Sequence, residues 1–162
     1  MTVFRFRLQA LLDKKIEERN LAAVKLTEAK RAHQTAQQKL RDMEKREQKL
    51  AEQIAGAREQ LLIESQSSST QLGRLAKYLM GLEQDQRSAR HASDLQRQTV
   101  KGAEEQVRKA HAGLAECARE VEILEKYREK LRNSFLRAAL RKEEIDRDET
   151  SALMHPKRSD VV

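Results

Sequence analysis

The sequence predicts an all-α protein folded as a long antiparallel two-helix coiled-coil hairpin, and three observations predict it. Of 162 residues 36% are charged and 3% aromatic, with a mean hydropathy of -0.83, which leaves too little apolar bulk for a wide globular core. Ala, Leu, Glu, Lys, Arg and Gln dominate and Pro156 is the single proline, so the intrinsic preference is for helix nearly end to end. Apolar residues recur at alternating spacings of three and four in two long runs, with one polar cluster between them.

The first run is Leu26, Ala29, His33, Ala36, Leu40, Met43, Glu47, Leu50, Ile54, Ala57 and Leu61. It is a heptad seam with polar interruptions, and it predicts helix 1 over about 4–64. The cluster Ser65-Gln66-Ser67-Ser68-Ser69-Thr70, with Ser68 and Gln71 spaced as a capping box, predicts a turn over 65–70. The second run starts at Leu72, passes Leu79, Gln86, Ser93, Val100, Val107, Leu114, Val121 and Phe135, and keeps its phase to Ile145. It predicts helix 2 over about 71–153. A short connection makes the two helices antiparallel neighbours in a single coiled-coil domain, 1–154. The tail, 155–162, is expected to be disordered.

Folding the seams about the turn pairs positions whose numbers sum to about 133. Leu61 then faces Leu72, Ile54 faces Leu79, Leu50 faces Leu82 and Leu12 faces Val121. The same register sets Glu47 opposite Gln86 and Ala36 opposite Gln96, so the middle of the hairpin is expected to be its weaker part. Helix 2 outruns helix 1, leaving residues beyond about Tyr127 without a partner. Phe135, Ala138, Leu140 and Ile145 should project as an apolar stripe for a partner protein or a second copy to cover. Gly73, Gly81, Gly102 and Gly113 each weaken a helix by ~1 kcal/mol relative to alanine, and are expected to mark bends or close contacts.

The residues exclude most chemistry. His33, His91, His111 and His155 are far apart and no metal-ligand or catalytic spacing recurs. A two-helix seam also has no room for an enclosed small-molecule pocket. An enzyme is therefore not expected, nor a metal, a cofactor or a small-molecule substrate. His33 and the lone Cys117 read as seam residues. No apolar run approaches the ~20 residues that span a bilayer, so a cytoplasmic location is expected.

The net charge is +7 and it is unevenly spread. From Lys126 to Lys142 there are seven Lys and Arg against one acid, Glu129. In the hairpin this stretch joins Arg5, Arg7, Lys14 and Lys15 in one basic end, suited to an acidic partner surface. Nucleic acid is not expected, because five aromatic residues offer almost no stacking platform and no groove-reading motif is present. Tyr78, one position off the seam, is expected to be partly exposed and suits a docking site.

The start "FRFRLQALLDKKIEE", the Ser-rich turn, "LAKYLMGLEQDQ" and a charged final helix ending in Asp148-Glu149 resemble the FliJ family of bacterial flagellar export proteins. The resemblance covers nearly the whole chain; its specific parts are the F-x-F-x-L-x-x-L-L-D start, the spacing to Tyr78 and the terminal Asp-Glu. It implies a non-enzymatic, stalk-like component of the flagellar type III export apparatus, cytoplasmic and peripherally associated with the inner membrane. Its implied partners are the hexameric export ATPase, the linker of the export gate membrane protein, and export chaperones that it escorts.

Carried onto this chain, the resemblance implies ATPase binding through Phe4, Arg5, Phe6, Arg7, Leu8, Lys126, Lys130, Arg132, Phe135, Leu136 and Arg137. It implies gate binding through Lys39, Met43, Arg46, Leu50, Tyr78, Leu82, Asp85 and Ala89. Met43, Leu50, Leu82 and Ala89 also belong to the seam, and where some relatives carry aromatic residues on helix 1 this chain has Arg46 and Leu50. Other readings stay open: the stalk of a virulence injectisome, a chaperone or scaffold that never touches an ATPase, and a self-associating structural coiled coil.

Overall fold

The computed structural model describes residues 3–63 and 69–154, with side chains described through 150. Two helices account for nearly all of them: α1, Gln9–Ile63, and α2, Ser69–Met154, with no strand among the described residues. They form an antiparallel two-helix coiled-coil hairpin. The expected turn lies mostly outside the described residues, as does the tail, 155–162; Ser69 and Thr70 already belong to α2. The chain divides into two compact units, Met1–Leu21 with Leu114–Val162, and Ala22–Gly113. They are called the terminal and middle units for their place in the sequence.

In the middle unit the spacing of three and four fixes burial residue by residue. Every α1 seam position from Leu26 to Leu61 is buried or half-buried, and every residue between them is exposed. Ile54, Ala57 and Leu82 form a buried cluster against which Leu50 and Leu79 pack. A fully buried side chain of the Leu or Ile type stabilises by about 1.5–3 kcal/mol, so these few residues carry much of the unit. Residues that follow a seam position on one flank tie the helices together: Arg58 donates to Glu83 at 2.8 Å and Arg97 to Glu44 at 3.1 Å. Both pairs are solvent-exposed, so each adds no more than about 1 kcal/mol.

Two polar residues interrupt the α2 side of this seam, Ser93 with no exposure and Gln96 at 8%. Gln96 Nε2 donates to the Ala36 carbonyl at 2.9 Å, which realises the expected opposition of these two positions. Ser93 Oγ, by contrast, is buried without a hydrogen-bond partner. A desolvated, unmade hydroxyl is destabilising, whereas a methyl group at the same place has nothing to satisfy. Ser93→Ala should therefore stabilise the middle unit by about 1 kcal/mol, read as a higher urea midpoint with unchanged slope. A lower midpoint would mean the hydroxyl has a partner in solution.

The glycines do not mark close contacts. An added Cβ would meet nothing within 4 Å at Gly56, Gly73, Gly81, Gly102 or Gly113, and no glycine has positive φ.

In the terminal unit the seam is anchored by Leu12, 1% exposed, and Val121, 2% exposed. Lys15 bridges Glu120 on α2 and Glu18 on its own helix, both at 2.8 Å. Hydrogen bonds to Glu120 and then Glu18 hold its ammonium above the ordinary lysine value.

The first helix starts later than the expected position near Phe4. Residues 3–6 have no regular structure, Arg7 and Leu8 form a turn, and α1 begins at Gln9. The Gln9 amide donates to the Phe6 carbonyl at 3.1 Å and the Leu12 amide to the Leu8 carbonyl at 2.9 Å. The reason lies in the alternation of Phe and Arg. Side chains two apart share one side of an extended chain but lie on nearly opposite sides of a helix. Phe4 and Phe6 are both half-buried while Arg5 and Arg7 stay exposed, an alternation that suits an extended chain and not a helix.

Candidate functional site

From residue 125 to 150 α2 is exposed apart from Phe135 and Ala139, which are half-buried. The extended segment ahead of α1 lies against this stretch. The Phe4 ring sits 5.7 Å from Phe135, tilted by 50°, and Phe6 meets Tyr127 edge-on at 6.1 Å. Tilted and edge-on pairs at such distances suit the ring quadrupoles and add about 0.5–1.5 kcal/mol each beyond the area they bury. Phe135, expected to project bare, is thus half-covered, because the N-terminal segment reaches farther along α2 than a helix begun at Phe4 would allow. Ala138, Leu140 and Ile145 do stay exposed.

The result is an open groove of about 470 Å³ whose walls are residues Phe4 to Leu8 on one side and Tyr127, Leu131, Phe135 and Ala138 on the other. The structure therefore joins six of the residues expected to bind the ATPase: Phe4, Arg5, Phe6, Arg7, Leu8 and Phe135. Tyr127, Leu131, Ser134 and Ala138 complete it and were not in that set. Leu131 and Ala138 carried the signal in their seam spacing.

The basic members fall around this groove. Lys126, Lys130 and Arg137 line a second depression with Arg141, about 690 Å³ in volume. Arg132 borders a third, about 980 Å³, together with Phe4 and Phe6 and the acids Glu122, Glu125 and Glu129. Lys126 is held by Glu122 at 2.6 Å, and that hydrogen bond raises the lysine above its ordinary value and lowers the carboxyl below its own. Among the described residues Arg5, Arg7, Lys130, Arg132 and Arg137 make no ion pair, so their charge is available to a partner. Leu136, 48% exposed, does not belong to the groove: it lies roughly 140° round the helix from Leu131.

The residues expected to bind the gate all lie in the middle unit and separate into two kinds. Leu82 is buried, and Met43, Leu50 and Ala89 are half-buried in the seam. Lys39, Arg46, Tyr78 and Asp85 are exposed, Tyr78 by 55%. Each of these four immediately precedes a seam residue, Leu40, Glu47, Leu79 and Gln86 respectively. In an antiparallel pair those positions share one flank. The flank tied by Arg58–Glu83 and Glu44–Arg97 is the other one. The surface with Tyr78 is therefore the flank that, among the described residues, no interhelical ion pair occupies. On the ion-paired flank Glu47 and Gln86 line a common depression with Glu44 and Arg97, as the register expects, and Glu47 Oε1 is buried without a hydrogen-bond partner among the described residues.

The described residues contain no group of three or more His, Cys, Asp or Glu placed to hold a metal ion. The arrangement suits binding to protein surfaces.

A family model described as the flagellar FliJ protein matches residues 4–159. Among solved structures, a protein of Chlamydia trachomatis described as a YscO homologue matches with a TM-score of 0.79 and 21% identity, over 94% of this chain and 96% of that one. At that identity the likeness is one of fold. No curated protein matches the chain by sequence.

Proposed function

Because the chain belongs to the FliJ family of flagellar proteins, coiled-coil proteins associated with type III export, we propose that it is a stalk-like coupling subunit of the flagellar export apparatus. Its terminal unit docks in the ring of the hexameric export ATPase. Its middle unit meets the linker of the export gate through the flank carrying Lys39, Arg46, Tyr78 and Asp85. Its chemistry is binding alone: contacts inside the ring favour particular arrangements of ATPase subunits, and the gate contact passes that preference to the export channel. Escort of export chaperones is a further part of the same role. In this reading these partners hold the protein at the flagellar base; no helix among the described residues is long and apolar enough to cross a membrane.

The observation that carries this reading is the groove between Phe4–Leu8 and α2. An apolar slot rimmed by unpaired arginines and lysines gives an acidic, partly apolar partner both a hold and a direction of approach. The test is to measure ATPase turnover and hexamer assembly with and without the protein. Stimulation of both is expected, and indifference of both would defeat the stalk role.

The basic set makes a second expectation. Lys130→Glu with Arg137→Glu should weaken ATPase binding about tenfold at ~50 mM salt and flatten its salt dependence, because long-range attraction between exposed charges is screened within about 10 Å at 0.1 M. Calorimetric titration at two salt concentrations measures this. Binding that ignores both salt and the double reversal would remove the electrostatic half of the proposal.

A further inference from the structure

The face of α2 turned away from the groove carries a second pattern. Glu129, Asn133, Leu136, Leu140, Glu143 and Arg147 recur at spacings of four and three and are all exposed, Leu136 by 48% and Leu140 by 60%. This is the spacing of a coiled-coil seam, and α1 supplies nothing to fill it. In order these are an acid, an amide, two leucines, a second acid and a base, and the second acid falls opposite the neutral Asn133 when the stripe is reversed on itself.

That order is self-complementary. Laid antiparallel on a copy of itself about Ala138, the stripe sets Leu136 against the second copy's Leu140, and Glu129 against its Arg147. The flanking positions agree. Arg132 comes alongside the second copy's Asp146 on one side, and Lys130 alongside its Glu144 on the other, each pair occurring twice by symmetry. The one like-charge meeting is Arg137 with its own counterpart near the axis. Block by block the reason is plain, since seven bases and one acid in 126–142 are followed by five acids and one base in 143–149.

We propose that two copies of the chain associate reversibly through this stripe, as an antiparallel, two-fold symmetric pair centred on Ala138. Such a contact is isologous, so it closes on itself and does not grow into fibres. Its leucine patch is small and its rim charged, which makes the association weak and salt-sensitive. Lys130, Arg132 and Leu136 are also among the residues proposed to bind the ATPase, so a chain in the paired form withholds them from the ring. The pairing does not rest on the export reading, because it is measured on this chain alone.

Sedimentation equilibrium of the full chain tests it. A monomer–dimer equilibrium is expected at ~50 mM salt, weakened about tenfold at ~500 mM. Asp146→Arg, which sets arginine against Arg132 in both halves, should weaken the dimer about tenfold. The exchange Arg132→Asp with Asp146→Arg should restore it, and Leu136→Glu with Leu140→Glu should abolish it. All these positions are exposed, so helix content by circular dichroism should not change. A strictly monomeric chain at low salt, or a dimer indifferent to Asp146→Arg, or failure of the exchange to rescue, overturns the pairing. A chain that stays monomeric yet loses ATPase binding on Leu136→Glu with Leu140→Glu would assign the stripe to the ATPase instead.

Discussion

Leu12→Asp is expected to unfold the terminal unit at room temperature, whereas Leu12→Ala should lower its stability by about 2–4 kcal/mol. A hairpin two helices thick concentrates its burial in a few positions, and Leu12, at 1% exposure, with Val121, at 2%, are the two buried hydrophobic residues of this unit among those described. Alanine removes three carbons from a site that can partly close around the gap. Aspartate brings a charge where Lys15, one turn on, is already held by Glu120 and Glu18, and an unpaired buried charge destabilises by several kcal/mol. Amide hydrogen exchange separates the consequences. Protection should vanish across residues 9–21 and 114–124 while the helices around Ile54 and Leu82 keep theirs. Uniform loss over the whole chain would mean that the two units unfold as one.

Phe4→Ala with Phe6→Ala should reduce ATPase affinity at least tenfold, and more than Arg5→Ala with Arg7→Ala does. Aromatic side chains that wall an apolar slot are typical of residues whose truncation removes about 2 kcal/mol or more of binding. Exposed arginines at its rim contribute mainly to the rate of encounter. The two double variants should also differ in character, the deficit of the arginine variant shrinking at high salt and that of the phenylalanine variant not. The rings are half-buried and stand ahead of α1, so their loss should leave the seam at Leu12 folded. Normal affinity in the phenylalanine variant would show that the partner binds elsewhere on the chain.

What the sequence made legible follows from what a heptad encodes. The spacing of three and four names the inward positions and, once the polar cluster marks the reversal, the register. Ile54, Leu82 and the Gln96–Ala36 contact follow from that rule alone. It is silent on the segment ahead of Gln9, where propensity favours helix but the placement of two rings on one side of the chain wins. The clue there was the period of two in Phe-Arg-Phe-Arg, which belongs to extended chain.

The candidate site was legible in its membership more than in its grouping. Phe4, Phe6 and Phe135 do converge. Leu136 was grouped with them by the resemblance, although a step of five residues from Leu131 carries it to another side of the helix. Tyr127 was read as the point beyond which helix 2 has no partner and Leu131 as part of a seam running on to Ile145, not as a wall, because the seam rule cannot say which non-helical residues fill the place α1 leaves. The flank shared by Lys39, Arg46, Tyr78 and Asp85 was already implied by the register. It emerged only when the ion pairs on the other flank distinguished the two.

The open space around the five glycines has a mechanical consequence. Each glycine lowers the resistance of its own helical turn to opening by about 1 kcal/mol relative to alanine, and nothing nearby demands the missing methyl group. With one such place in α1 and four along α2, the helices are more compliant than their length and composition require. A torque or push applied to either helix would be partly absorbed as local breathing at these turns instead of being delivered undiminished.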